Sequence, residues 1–218
     1  MARSGSKGLR NKNLKKINNI SLVGLTGKIC KKIKIIDKKI ISTDSYKIGL
    51  EAKKYNLDFF FKRPKILSGG KVPDNKVLLH ALKQSEKYYK QKFDIILSLP
   101  PTTPTRSSFE VEACLKKLMN KKYSAVWTIN KTNDKFHPEK ALTISGGKLK
   151  FYDKFGHKLR ARQELSNIYH RNGVAYAVTR RLIINGKLID NKSSYFECKK
   201  KHLSIDTIED LNIAEKLF

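Results

Sequence analysis

Apolar positions along the chain alternate between helical and strand periods. From Ser21, a capping residue, Leu22, Leu25, Ile29 and Ile33 recur at helical spacing. Residues 39–43 read as a short strand, 45–55 as a helix, 57–61 as a strand and 77–89 as a helix. The run 93–99 is short and almost wholly apolar, as in a buried strand. Pro100-Pro101-Thr102-Thr103-Pro104-Thr105-Arg106 after it can only be loop. Residues 109–119 are helical again and 123–129 form a strand. Strands alternating with helices predict a mainly parallel sheet covered on both faces.

The alternation breaks after Asn130. Leu142-Thr143-Ile144 and Leu149-Lys150-Phe151 flank Ser145-Gly146-Gly147-Lys148, a hairpin pattern inside an antiparallel excursion over 131–170. The sheet pattern resumes over 173–178. Thr207-Ile208-Glu209-Asp210 resembles a capping box opening a last helix that runs to Phe218. No repeat or linker divides the chain, so residues 1–218 are expected to form one domain. An α/β domain usually opens on an apolar strand before its first glycine-containing loop. Here the loop begins at Ala2, so that strand is expected to be missing or truncated.

Composition narrows the class. Hydrophobic residues make up 39% of 218, enough to build a core. No apolar run approaches the ~18 residues of a membrane span, and no apolar segment resembles a signal peptide. Cys30, Cys114 and Cys198 are odd in number and far apart, which fits neither a disulfide framework nor a zinc site. A cytoplasmic protein is expected.

The net charge is +28, from 47 Lys and Arg against 19 Asp and Glu, and lysine supplies 38 of the positives. Such a balance points to nucleic acid, an anionic surface or a phosphorylated substrate. The lysines are spread over all segments, no basic motif is interleaved with aromatics, and Ile and Asn are abundant too. Biased composition therefore explains most of the charge, and no specific nucleic-acid or membrane partner is expected.

Arg3-Ser4-Gly5-Ser6-Lys7-Gly8 is a small, basic, glycine-containing loop of the kind that lets backbone approach phosphate. It lacks the spacer and Gly-Lys-Ser/Thr ending of a Walker A loop. Its surroundings add to it. Ala2 to Leu9, Lys12-Asn13-Leu14, Ile20-Ser21-Leu22 and Ile41-Ser42-Thr43-Asp44-Ser45 follow one another in order. Arg63-Pro64 with Leu67-Ser68, His80-Ala81-Leu82, and Pro101-Thr102-Thr103-Pro104-Thr105-Arg106 continue the series. His137-Pro138-Glu139-Lys140, Arg162-Gln163, Asn172-Gly173-Val174-Ala175-Tyr176 and Ile205-Asp206-Thr207 complete it. This series resembles the CMP-N-acylneuraminate synthetases, the sugar-acid cytidylyltransferases, over nearly the whole chain.

The resemblance implies a three-layer α/β/α nucleotidyltransferase-like (Rossmann-like) domain with a mainly parallel sheet and an antiparallel dimerisation excursion at 131–170. It implies transfer of CMP from CTP to the anomeric hydroxyl of a nonulosonic sugar acid, with release of pyrophosphate, Mg²⁺ as cofactor and a homodimer. Arg3, Lys12 and Asp206 take the catalytic roles, with Asp206 also serving the metal. Ala2, Arg3, Ser4, Gly5, Ser6, Lys12, Asn13 and Arg63 fall in the nucleotide region, and Lys140, Arg162, Gln163 and Tyr176 on the sugar-acid side. A guanidinium suits a carboxylate substrate.

The chain departs from the family pattern at identifiable places. Ser204 stands where the family has a first metal-binding aspartate. Pro100 replaces a glutamine, and 68–74 lacks the expected acidic and serine pattern. A single carboxylate with substrate phosphates and waters still suits Mg²⁺. A homologue that binds nucleotide without turnover, or one using a related keto sugar acid, are the alternative readings. His80 is read as a packing residue. Tyr195 and Phe196 are read as core packing ahead of sugar contact.

Overall fold

The computed structural model describes residues 1–6, 8–158 and 165–218. A small ribbon, β1 (Lys16–Ile17) and β2 (Ile20–Ser21), leads into α1 (Leu22–Lys32). The expected cap is present: the Ser21 hydroxyl accepts from the Gly24 amide at 3.0 Å. Then come α2 (Tyr46–Lys53), α3 (Asp74–Tyr89), β3 (Ile95–Ser98), α4 (Ser108–Met119) and β4 (Ala125–Lys131). The excursion carries the predicted hairpin, β5 (Leu142–Ser145) with β6 (Lys148–Phe151). The chain returns through β7 (Tyr169–Thr179), α5 (Arg180–Ile184), β8 (Ser193–Glu197) and α6 (Ile208–Glu215).

The central sheet has the order β3-β7-β4-β8 and is mixed. β4 pairs in parallel with β8, whereas β7 runs antiparallel to both β3 and β4. The mainly parallel expectation is altered because the chain re-enters directly beside β4 after the excursion, without a crossover helix. The 39–43 and 57–61 segments are extended neighbours that make one parallel bridge, Ile40 with Asp58, instead of full strands. α5 and β8 were not foreseen. The final helix ends at Glu215, short of Phe218.

Alternation along the strands sends side chains to two faces. Val126 and Ala177 pack with Val111, Cys114 and Leu118 of α4 and with Val23 of α1. Ala125 and Val178 pack with Leu78 and Leu82 of α3 and with Leu182 and Ile183 of α5. The result is the expected three-layer arrangement. Among the described residues no helix is long and apolar enough to cross a membrane.

Met1 and Ala2 reach the interior of this arrangement, where the Ala2 amide donates to the Ser42 carbonyl at 3.0 Å. Beyond them lies a cavity of about 340 Å³, bordered by residues 39–42 on one side and 93–99 on the other. This explains why β3, read as fully buried, is half-buried at Ile95, Ile96 and Leu97. β3 is an edge strand of the sheet, and its outer edge faces this cavity.

A third apolar cluster sets the site. Leu9, Ile17 and Leu22 from the start of the chain pack on Ile205, Leu211 and Ala214 from its end. This brings the glycine-containing loop against the segment carrying Asp206.

Candidate nucleotide site

The loop at 2–8 is built by its own polar groups. Asp44 accepts the Ser4 amide on one oxygen at 2.8 Å and the Ser4 hydroxyl on the other at 2.7 Å. Burial pushes the Asp44 carboxyl up, but these Ser4 bonds, with Arg63 nearby, outweigh it and hold the group below the ordinary carboxylate range. Asn13 is buried and its amide donates to the Arg3 carbonyl at 2.8 Å. The loop is thus clamped from two sides.

Arg3, Lys12 and Arg63 converge on a cavity of about 570 Å³, lined also by Ser6, Gly8, Asn13, the 67–74 segment with its Asp74, and Pro100–Thr102. Arg63 is only 4% exposed. Its backbone amide donates to Thr43 and its Nε to the Ser68 hydroxyl at 3.2 Å. Burial first, and Arg3 nearby, draw its pKa below the usual arginine range, against the pull of Asp44 and Asp74. Such crowding of buried positive charge favours an anionic ligand.

Asp206 stands beside this cavity. Its Oδ1 lies 2.7 Å from Lys12 Nζ, and its side chain is 70% exposed. The Ser204 hydroxyl donates to Oδ2 at 3.3 Å. The neighbouring Asp210 is already engaged, accepting from the Asp206 and Thr207 amides in the predicted capping box. Asp206 therefore offers one exposed hard-oxygen carboxylate beside the cavity that Arg3, Lys12 and Arg63 line. That donor set fits Mg²⁺ held by one carboxylate, water and substrate phosphates.

The two glycines of the loop differ. A Cβ on Gly8 would lie 2.6 Å from the Asp206 carbonyl oxygen, so Gly8 is required by close approach of backbone. A Cβ on Gly5 would meet nothing within 4 Å. Gly5→Ala is expected to leave stability within about 0.5 kcal/mol of wild type. Gly8→Ala is expected to lower both the melting temperature and turnover. Thermal melts with steady-state kinetics check both, and a Gly8→Ala enzyme with normal turnover would refute the close-packing argument.

The sugar-side residues fall elsewhere. Tyr176 is half-buried in β7, where its hydroxyl accepts from the Gly173 amide at 2.9 Å and its ring lies 4.9 Å from that of Trp127. Lys140 is exposed at the end of a short 3₁₀ turn, Pro138–Lys140, in the excursion. Neither lines the phosphate cavity. Arg162, Gln163 and Lys7 lie outside the described residues. Phe196 packs against the core as read, whereas Tyr195 is 52% exposed. Ala2 is buried under the loop.

Sequence reasoning passed over three participants. Asp44 was visible in the Ile-Ser-Thr-Asp-Ser turn but given no role. Arg106 is buried, donating through Nη2 to the Pro100 and Gly173 carbonyls. Burial draws its pKa down to about 10. It ties the proline-rich loop to β7. The third, the buried pair Glu110–His202, is taken up below.

An open α/β sheet with a clamped basic loop and a carboxylate beside it defines a nucleotide-binding transferase site. The sequence profile of the family described as "Cytidylyltransferase" matches residues 1–217. The chain belongs to that family and is a nucleotidyltransferase. It is 28% identical over 220 residues to a Campylobacter coli protein named post-translational flagellin modification protein B, covering 99% of this chain and 92% of that one. It is 29% identical over 216 residues to the N-acylneuraminate cytidylyltransferase of Escherichia coli O18:K1:H7, covering 98% of this chain and 49% of the relative. Among solved structures, a CMP:2-keto-3-deoxy-manno-octonic acid synthetase complexed with CTP superposes with a TM-score of 0.71 at 14% identity. That match spans 99% of this chain and 95% of the other and supports the fold.

Proposed function

We propose that this enzyme transfers CMP from CTP to the anomeric hydroxyl of a nonulosonic, sialic-acid-like sugar acid. The observation that carries the reading is the cavity where Arg3, Lys12 and Arg63 meet beside Asp206. The sugar-acid acceptor is supported by the N-acylneuraminate cytidylyltransferase relative. In the reaction the hydroxyl oxygen attacks the α-phosphorus and the bond to the bridging oxygen of the β-phosphate breaks. Pyrophosphate departs with the electron pair, and the hydroxyl proton passes to water. Arg3, Lys12 and Arg63 hold the triphosphate and offset its charge, and Asn13 and Ser4 keep the loop in place. Phosphoryl transfer needs this positioning and neutralisation more than covalent help. Asp206 would hold Mg²⁺, which when bound neutralises further phosphate charge. Incubation with CTP, Mg²⁺ and a panel of nonulosonic and shorter 2-keto sugar acids tests the reading. Pyrophosphate release dependent on the sugar acid is expected, and binding of CTP by calorimetry without release under any condition would favour the non-turnover homologue.

The functional unit is proposed to be a homodimer formed through the excursion. Every residue of β5 and β6 is exposed, including Leu142, Ile144 and Leu149. A two-stranded hairpin is marginal alone in water, and an apolar one needs cover. Gel filtration is expected to show a dimer, and Ile144→Asp a monomer. A wild-type monomer would refute the assignment.

A further inference from the structure

The segment 199–206 joins β8 to α6 and holds neither helix nor strand. It nevertheless has to deliver Asp206 to Lys12. Lys199, Lys200, Lys201 and Ser204 are exposed, so these side chains do not anchor it. At its start the buried Asn130 side chain of β4 donates to the Cys198 carbonyl and, at 3.1 Å, to the Lys200 carbonyl. Beyond Lys200 the anchors are ties to the proline-rich loop and the start of α4.

His202 carries the principal tie. Its side chain is fully buried, and Nε2 lies 2.8 Å from Glu110 Oε1. Nδ1 lies 3.3 Å from the Thr105 hydroxyl, and that hydroxyl accepts from the Leu203 amide at 3.3 Å. The Glu110 carboxylate can only accept, so the ring hydrogen toward it sits on Nε2. Glu110 is itself fixed, because its other oxygen accepts both the Ser107 amide at 3.0 Å and the Ser107 hydroxyl at 2.7 Å in the capping box of α4. Burial pushes the Glu110 carboxyl up, but the bonds from His202 and Ser107 outweigh it and bring it down to about 2. Three residues after His202, the Ile205 amide donates to the Thr102 carbonyl at 2.8 Å, and Ile205 is fully buried. Asp206 comes next.

Cys198 completes the surroundings. Its thiol is buried, and the ligand atoms of Glu110, Cys198 and His202 lie within 4.8 Å of one another. Both ring nitrogens of His202 and both Glu110 oxygens are already engaged, so the cluster is built to hold chain.

The geometry points to His202 as a positioning residue: by bonding Glu110 and Thr105 it pins the connector and fixes Asp206 against Lys12 and the nucleotide phosphates. It touches no reacting atom. This assignment rests on the proposed transfer reaction for its kinetic consequence, but the pin itself can be tested without turnover. Asp206 follows His202 by four residues, and freeing the connector blurs the carboxylate's position while Arg3, Lys12 and Arg63 keep theirs.

The experiment compares wild type with His202→Phe, which fills the space without a donor, and His202→Gln, which restores a donor to Glu110. Limited trypsin digestion at Lys199–Lys201 reads the pin directly. Cleavage of the Phe variant is expected to be about tenfold faster, and that of the Gln variant within about threefold of wild type. In pyrophosphate assays the Phe variant is expected to lose about tenfold in kcat and to need about fivefold more Mg²⁺, with KM for CTP within about twofold. The Gln variant is expected to recover most of both. If the Phe variant does not fold, Thr105→Val, which removes only the Nδ1 and Leu203 ties, is expected to shift the same readouts in the same direction. A folded Phe variant cleaved at the wild-type rate overturns the pin. Faster cleavage with unchanged kcat and Mg²⁺ requirement overturns its role in positioning Asp206, as does a Gln variant as impaired as Phe. If wild type turns over CTP with no sugar acid, the transfer reading falls and the digestion still decides the pin.

Discussion

Asp206→Asn is expected to reduce pyrophosphate release about 10²–10³-fold while leaving the fold intact. The side chain is 70% exposed, so its loss from the apo protein removes little packing. The amide keeps the shape and one acceptor oxygen, but it cannot carry the charge that a divalent cation requires. It also releases Lys12, whose Nζ now lies 2.7 Å from the carboxylate. KM for CTP is therefore expected to change far less than kcat. Ser204→Asp runs the other way. Ser204 already donates to Asp206 Oδ2 at 3.3 Å, so a carboxylate there would stand next to the first. Activity equal to or above wild type, with tighter Mg²⁺ binding, is expected. Weaker Mg²⁺ binding in Ser204→Asp, measured by titration of activity and by calorimetry, would contradict the metal assignment at Asp206.

The parts of this site that were legible in the sequence are those encoded locally. The Ser21 cap, the Thr207–Asp210 capping box and the Gly-Gly hairpin are patterns of a few residues, and the structure contains each. The loop at Arg3–Gly8 and the Lys12–Asn13 pair were legible through their order in the family series. What the sequence hid depends on contacts across the chain. The direction of β7 is set by where the excursion returns, which no local period encodes. β8 reads Ser-Ser-Tyr-Phe-Glu, too short and too polar to announce a strand, and it forms because β4 offers a free edge. Asp44 looks like an ordinary turn residue until Ser4 is brought beside it from 40 positions away. Glu110 and His202 are 92 residues apart, and each alone resembles a surface group. The +28 charge sharpened in the same way: most lysines are solvated, and the few cations that matter are those folded into one cavity.

Arg63→Met is expected to separate stability from function. Arg63 is a buried cation, 4% exposed, whose charged form is disfavoured by burial and by Arg3, and only partly compensated by Asp44 and Asp74. Burying a charge without a close partner costs stability, and an apolar side chain of similar length removes that cost. It also removes the Nε bond to Ser68, a bond from a charged donor of about 1.5–3 kcal/mol that partly offsets the gain. The melting temperature of Arg63→Met is therefore expected to equal or exceed that of wild type. CTP binding should suffer, because the triphosphate is the anion that makes the buried guanidinium favourable. Loss of one charge-assisted contact of about 1.5–3 kcal/mol corresponds to an affinity drop on the order of 10–100-fold. Added salt should weaken wild-type binding more than that of the variant, since one fewer cation faces the phosphates. A variant that melts several degrees lower yet binds CTP normally would show that Arg63 is a structural strut, and that the cavity's charge is drawn from Arg3 and Lys12 alone.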